Sequence, residues 1–180
     1  MRALFVLFCI HHDYHSRASV APVLVLPAIR LATSDDAHAI AALSRDCIEQ
    51  GLAWKYTPQR VRALIRHPSV NVAIVHVHGG LHAVGIMEYG LTVAHLVLLG
   101  VQPTQRHKGL GRHLVSWLEA CARTAGINRI DVECRADNPG AIAFYRAQGY
   151  RVQGVVSRYY GGAIDAVRLS RRFVPVAAHD

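Results

Sequence analysis

The sequence predicts an α/β (α+β) fold, a single domain with one mixed, mostly antiparallel central sheet flanked by about four helices. Two observations carry that prediction. The hydrophobic period switches repeatedly between two residues and about 3.6, which separates strands from helices. The resulting order, β-α-α-β-β-β-α-β-α-β-β, places helices on the faces of one sheet. Length and composition agree, since 180 residues at 52% hydrophobic and 18% charged suffice for one buried core.

Residues 28–32 alternate as a strand. Thr33-Ser34-Asp35-Asp36 follows, with Ser34 as the expected helix cap and the aspartates at the positive end of the dipole. Ile40, Leu43, Cys47 and Ile48 recur at helical spacing, and Gly51 is the expected stop. A second helix starts at Thr57 as cap with Pro58 in the first turn, carries Val61, Leu64 and Ile65 inward, and ends at His67-Pro68. Residues 72–77 then read as a strand, Gly79-Gly80 as a two-residue hairpin turn, and 81–89 as the returning strand. Residues 94–101 form a third apolar strand that Pro103 terminates.

The helical period returns over 109–125, with Leu110, Leu114, Trp117, Leu118 and Cys121 inward and Gly126 as the stop. Residues 130–134 read as a strand. Asn138 caps a helix bearing Ile142, Phe144 and Tyr145, which Gly149 ends. Two last strands, 150–156 and 163–170, are joined through Gly161-Gly162. The expected division is an N-terminal extension over 1–27, poorly ordered, a domain over 28–172 and a short tail over 173–180.

The formal charge is +8, and all but two of the 20 basic residues are arginine. No block of five or six like charges occurs, so the excess reads as a solvated surface and no nucleic-acid partner is expected. No apolar run reaches the length of a membrane span, so no membrane partner is expected either. Cys9, Cys47, Cys121 and Cys134 lie far apart without a C-x-x-C pair, which suggests reduced thiols in a cytoplasmic protein. Arg2 and the apolar run 3–10 resemble the core of a secretion signal, but His11, His12, Asp13, His15 and Arg17 interrupt it. His76, His78 and His82 have no carboxylate to complete a ligand set, so no metal is expected.

The most informative segment is 101–112. It links an apolar strand to an amphipathic helix, and Gly109 and Gly111 let a phosphate approach the backbone. The free N–H groups of the first helical turn point outward, and Arg106, Lys108 and Arg112 add positive charge. The dinucleotide pattern fails because Leu114 stands where a third glycine belongs, and no Gly-Lys-Ser/Thr follows for a nucleotide-triphosphate loop.

The run Arg106-x-x-Gly109-x-Gly111 resembles the acetyl-CoA signature of the GNAT superfamily of N-acetyltransferases. Residues 133–138, Ala141-Ile142-Ala143-Phe144-Tyr145 and Gly149-Tyr150 are similar to its second cofactor motif. Arg158-Tyr159-Tyr160 and Asp165-Ala166 echo the bacterial ribosomal-protein alanine N-acetyltransferase branch. The resemblance implies a splayed sheet that holds the pantetheine arm of acetyl-CoA between two central strands. It implies pairing of the arm with the backbone of Leu99, Gly100 and Val101. The pyrophosphate would sit on the N–H groups of His107, Lys108, Gly109, Leu110, Gly111 and Arg112, and Asn138 would touch the cofactor.

Amine acetylation needs a neutral nucleophile, a polarised carbonyl and a proton for the thiolate. Glu133, on a strand otherwise built of Ile130, Val132 and Cys134, is the candidate base, and partial burial would raise its pKa. The resemblance places Glu133 at the general base and Tyr145 at the general acid. Taken as residues alone, Glu133 also fits an ion pair near Arg135 and Tyr145 an inward-packed ring. Cys134 reads as a small buried hydrophobe rather than a nucleophile. The acceptor is a primary amine, of a protein N-terminus or a small molecule; a non-catalytic acetyl-CoA-binding regulatory module is the alternative.

Overall fold

The computed structural model describes residues 26–77 and 79–173. In chain order these form β1 (Ile29–Leu31), α1 (Ala37–Cys47), α2 (Pro58–Arg66), β2 (Val70–Val77), β3 (Gly80–Tyr89) and β4 (Val93–Val101). There follow α3 (Leu110–Thr124), β5 (Arg129–Arg135), α4 (Pro139–Arg146), β6 (Arg151–Tyr160) and β7 (Ile164–Arg172). The expected element order holds throughout. The N-terminal extension as far as residue 25, with Cys9 and its histidines, and the tail from 174 lie outside the described residues, as does His78.

The local signals act with small shifts. Thr57 caps α2 by accepting the Arg60 N–H at 3.3 Å, with Pro58 at the first position. The cap before α1 is Thr33 rather than Ser34. The Asp36 carboxylate accepts the Thr33 N–H at 2.7 Å and is clamped by Arg30 at 2.7 and 2.8 Å, so Ser34–Asp36 forms a 3₁₀ turn first. Arg30 holds that carboxyl down at about 2. The hairpin turn is also displaced by one residue. Val77 pairs with Gly80, so Gly80 already belongs to the returning strand.

The seven strands run β1-β2-β3-β4-β5-β7-β6. Every neighbouring pair is antiparallel except β4 and β5. Two apolar clusters cover the two faces. Leu110, Leu114, Val115 and Leu118 of α3 pack with Tyr145 of α4 on Met87, Leu96, Ile130 and Val132. Ile40 and Leu43 of α1 and Val61 of α2 pack on Val72, Ile74, Val84, Ile86 and Leu98. Each such aliphatic side chain contributes about 1.5–3 kcal/mol by leaving water.

Glu119 is a charge on the buried side of α3. Only 3% exposed, it accepts two hydrogen bonds from Nη1 of Arg171 at 2.9 and 2.7 Å. Removing one partner strands the other's charge. Arg171→Met is expected to destabilise the domain by about 3 kcal/mol, toward the low end of that range because the Arg171 side chain is 32% exposed. The double variant Glu119→Leu/Arg171→Met is expected to recover most of the loss, as urea denaturation midpoints will show.

Candidate functional site

The sheet opens at its one parallel junction. Strands β4 and β5 pair only at Val93–Arg129, Ala94–Ile130 and His95–Asp131. Beyond that they part, while β4 stays paired to β3 as far as Val101 and β5 to β7 as far as Arg135. The register of β4 slips between its partners Ile86 and Met87, leaving Val97 as an extra bulged residue. A bulge bends a strand, and this one sits where the two strands separate. The backbone edge of Leu98–Val101 therefore faces a slot rather than a neighbour.

Leu99 and Val101 lean on the α3 face, and Gly100 is buried on the other. A Cβ at Gly100 would lie 2.7 Å from Cδ1 of Ile48, so the chain following α1 closes on the slot there. Past Val101, a 3₁₀ turn over Pro103–Gln105 leads into the loop. Arg106, His107, Lys108 and Arg112 are exposed. Arg106 bonds back to the Val101 carbonyl at 3.4 Å and Lys108 to the Gln105 amide oxygen at 3.1 Å. Among the described residues none of these four has a carboxylate partner.

Gly109 is the N-cap of α3 at φ 83°, and His107 is held at φ 61°. The left-handed pair turns successive N–H groups toward one side, ahead of the unbonded amides of Leu110, Gly111 and Arg112. Gly111 has a packing reason as well, since its Cβ would meet the Phe144 ring at 3.3 Å. Asn138 caps α4, its side-chain oxygen accepting the Ala141 N–H at 3.0 Å.

Alternation along β5 sends Ile130, Val132 and Cys134 to the α3 face and Glu133 to the α1 face. The Glu133 side chain is 5% exposed and both oxygens are occupied. One meets Nε2 of His95 on β4; the other accepts from Nε of Arg168 on β7 at 2.8 Å. Its expected elevated pKa is therefore corrected. Burial does push it up, but the hydrogen bonds from His95 and Arg168 outweigh burial and hold Glu133 below the ordinary carboxylate value. The ion pair is not with Arg135, which binds Asp137 instead.

Tyr145 lies on the opposite face of β5, 5% exposed, its ring edge-on to Phe144 at 5.1 Å and to Tyr150 at 5.4 Å. Burial first, then Cys134, Tyr150 and Tyr160, raise it well above the ordinary phenol value. Cys134 is 5% exposed, and burial together with the Glu133 charge pushes its thiol up to about 12. It stays a neutral thiol, as expected.

Beside His95 and Arg168, the sequence reading assigned no role to Glu49 or Tyr56, and it reached Tyr160 only through the family resemblance. Glu49, 7% exposed, accepts the Ser44 hydroxyl at 2.8 Å and the Lys55 and Tyr56 N–H groups at 2.6 and 3.3 Å, and so fixes the α1–α2 loop. That loop delivers Tyr56, whose hydroxyl donates to the carbonyl of the bulged Val97 at 3.1 Å. Tyr160 arrives from the far side and donates to the Glu133 carbonyl at 3.0 Å. The Asp165 carboxylate accepts the Arg158 N–H at 2.8 Å and supports its φ of 54°, the kink that turns Tyr160 inward. The spacing Arg158-Tyr159-Tyr160…Asp165 held that signal; nothing local marked Glu49. Among the described residues no cluster of histidine, cysteine and carboxylate side chains could hold a metal.

A model of the Acetyltransferase (GNAT) family matches residues 49–150. The chain is 39% identical over 62 residues to the N-alpha-acetyltransferase RimI of Mycobacterium tuberculosis, covering 34% of this chain and 37% of that one. It is 35% identical over 66 residues to the N-terminal acetyltransferase B complex catalytic subunit naa20 of Schizosaccharomyces pombe, 37% of each chain. These matches span little more than a third of either relative. The fold is similar to the crystal structure of the Escherichia coli ribosomal-protein-S18-alanine N-acetyltransferase, with a TM-score of 0.71 at 21% identity over 85% of this chain and 99% of that one.

Proposed function

Since the chain belongs to the acetyltransferase (GNAT) family, we propose that it transfers the acetyl group of acetyl-CoA to the free α-amine of a polypeptide. The observation that carries this reading is the slot between β4 and β5 opening onto the amide-lined turn at Gly109. An extended arm with amide groups can pair with the free edge of Leu99, Gly100 and Val101. A diphosphate can settle on the N–H groups from His107 to Arg112, under the field of Arg106, Lys108 and Arg112.

Acetyl-CoA bound there supplies a thioester carbonyl at the fork. Glu133 anchors the base side of the reaction on one face, and Tyr145 offers its proton to the departing sulfur from the other. An α-amine, with pKa near 7.7–8.0, loses its proton far more readily than a lysine side chain near 10.4, which suits a weak base. Tyr159 and Tyr160, edge-on at 4.9 Å, and Tyr56, held to the Val97 carbonyl, would offer aromatic surface to the acceptor, and both protein relatives are named for N-terminal or N-alpha acetylation. Among the described residues no helix is long and apolar enough to cross a membrane, and Cys47, Cys121 and Cys134 are free thiols, consistent with a cytoplasmic site of action.

The test is CoA release with three acceptors: peptides with a free N-terminal alanine or methionine, the same peptides N-terminally blocked but carrying lysine, and spermidine. The expected result is turnover with the free α-amine alone. Acetyl-CoA binding without turnover of any acceptor would instead establish a regulatory module.

A further inference from the structure

The geometry assigns the proton taken from the amine to the imidazole of His95, with Glu133 as the buried carboxylate that orients it. This rests on acetyl transfer at the β4–β5 fork. His95 occupies the last paired position of β4, the hinge from which the slot opens. Its Nε2 faces the Glu133 carboxylate. With one oxygen engaged by His95, the other by Arg168, and only 5% of its side chain exposed, the Glu133 carboxylate is the less accessible acceptor for an amine proton. The exposures divide the roles, since the His95 side chain is 36% exposed and that of Glu133 only 5%. The imidazole is the member of the pair within reach of an incoming amine or its water.

The carboxylate fixes the tautomer. Nε2–H donates to Glu133, which leaves Nδ1 with a free lone pair, the arrangement by which a buried acid orients a catalytic histidine. The step then balances. The amine lone pair forms the N–C bond to the thioester carbon, the C–S pair leaves on sulfur, and the amine proton passes to Nδ1. Tyr145 Oη gives its proton to the sulfur, and the imidazolium and phenolate are reset through water.

The charged groups that act on His95 are carboxylates. Glu133 and Asp131 come from β5 and Glu88 from β3, with Arg168 of β7 behind Glu133. Asp131 is itself held by Ser170 at 2.6 Å and Arg129 at 3.1 Å. The Glu133 hydrogen bond raises His95 above its ordinary value, against an opposing push from burial. A base must be neutral to accept, so turnover is low below that raised pKa and climbs as pH passes through it.

The experiment follows kcat/KM with an N-terminal alanine hexapeptide from about pH 5.5 to 9. Wild type is expected to show an acid limb with an apparent pKa above about 6.5. His95→Gln is expected to keep only the limb of the peptide α-amine near 7.7–8.0 and to lose about 10²–10³-fold in rate, and free imidazole to restore part of the activity of His95→Ala. Glu133→Gln is expected to move the limb to lower pH. A His95→Gln enzyme with wild-type rate and limb would overturn the assignment and leave Glu133 acting alone. Proton NMR of the imidazole supplies a readout without turnover. A His95 pKa that falls in Glu133→Gln supports the pair even if the peptide is not acetylated, in which case the acceptor reading alone fails. A titration indifferent to Glu133 overturns the pair.

Discussion

Replacing Gly109 by valine is expected to weaken acetyl-CoA binding at least about 100-fold, roughly 2.7 kcal/mol, while the domain still folds. Gly109 caps α3 at φ 83°, a conformation that a β-branched residue adopts only with strain. Valine would pull the turn toward negative φ and swing the following N–H groups away from the diphosphate. Strain of this kind costs about 1–3 kcal/mol, so part of the effect falls on stability. Gly126→Val separates the two. Gly126 has nearly the same φ, 77°, at the far end of α3, with nothing within 4 Å of its added Cβ. It should show the stability cost by urea denaturation and keep cofactor affinity by calorimetry. If both variants bind acetyl-CoA equally well, the turn does not hold the diphosphate.

Tyr145→Phe is expected to lower kcat by about 10²–10³-fold with cofactor affinity and denaturation midpoint unchanged. Phenylalanine keeps the ring that packs edge-on to Phe144 and Tyr150 and removes only the hydroxyl. Because burial raises the phenol well above its ordinary value, it stays protonated between about pH 5.5 and 9, so the loss should not vary with pH over that range. That contrasts with the pH-dependent loss expected at His95. Cys134→Ala is the comparison for a covalent route. A thiol pushed up to about 12 is no nucleophile, and that variant should turn over near the wild-type rate. Stopped-flow detection of CoA thiol separates these outcomes directly.

The fold was legible wherever local chemistry decides structure. Thr57-Pro58 and Asn138 begin helices where they should, and the change of period locates every strand. The misplacements are of one kind. Ser34 lost the cap to Thr33 because Arg30, from the preceding strand, clamps Asp36. The hairpin turn moved by one residue because sheet register, not the glycine pair, set which residues face each other. The site shows the same division. The turn at 106–112 is contiguous and readable, whereas the His95–Glu133–Arg168 arrangement joins β4, β5 and β7 across long stretches of sequence. No spacing announces it, and burial alone gave the wrong direction for the acidity of Glu133. The carboxylate of Glu49, buried just past a helix, had no local signature because its backbone donors lie in the next loop and its one helical donor, Ser44, is set five residues back, off any capping spacing.

The fork between β4 and β5 has a protective side. Two bare backbone edges inside a sheet invite a foreign strand, the usual first step toward aggregation. Here they converge on a three-pair hinge at His95, so an intruding polypeptide would find the gap tapering shut before a ladder could form. Only something slimmer than a strand, with few amides and no side chains, could travel to the apex. The same taper that guards the naked edges thus selects for a thin thioester tether.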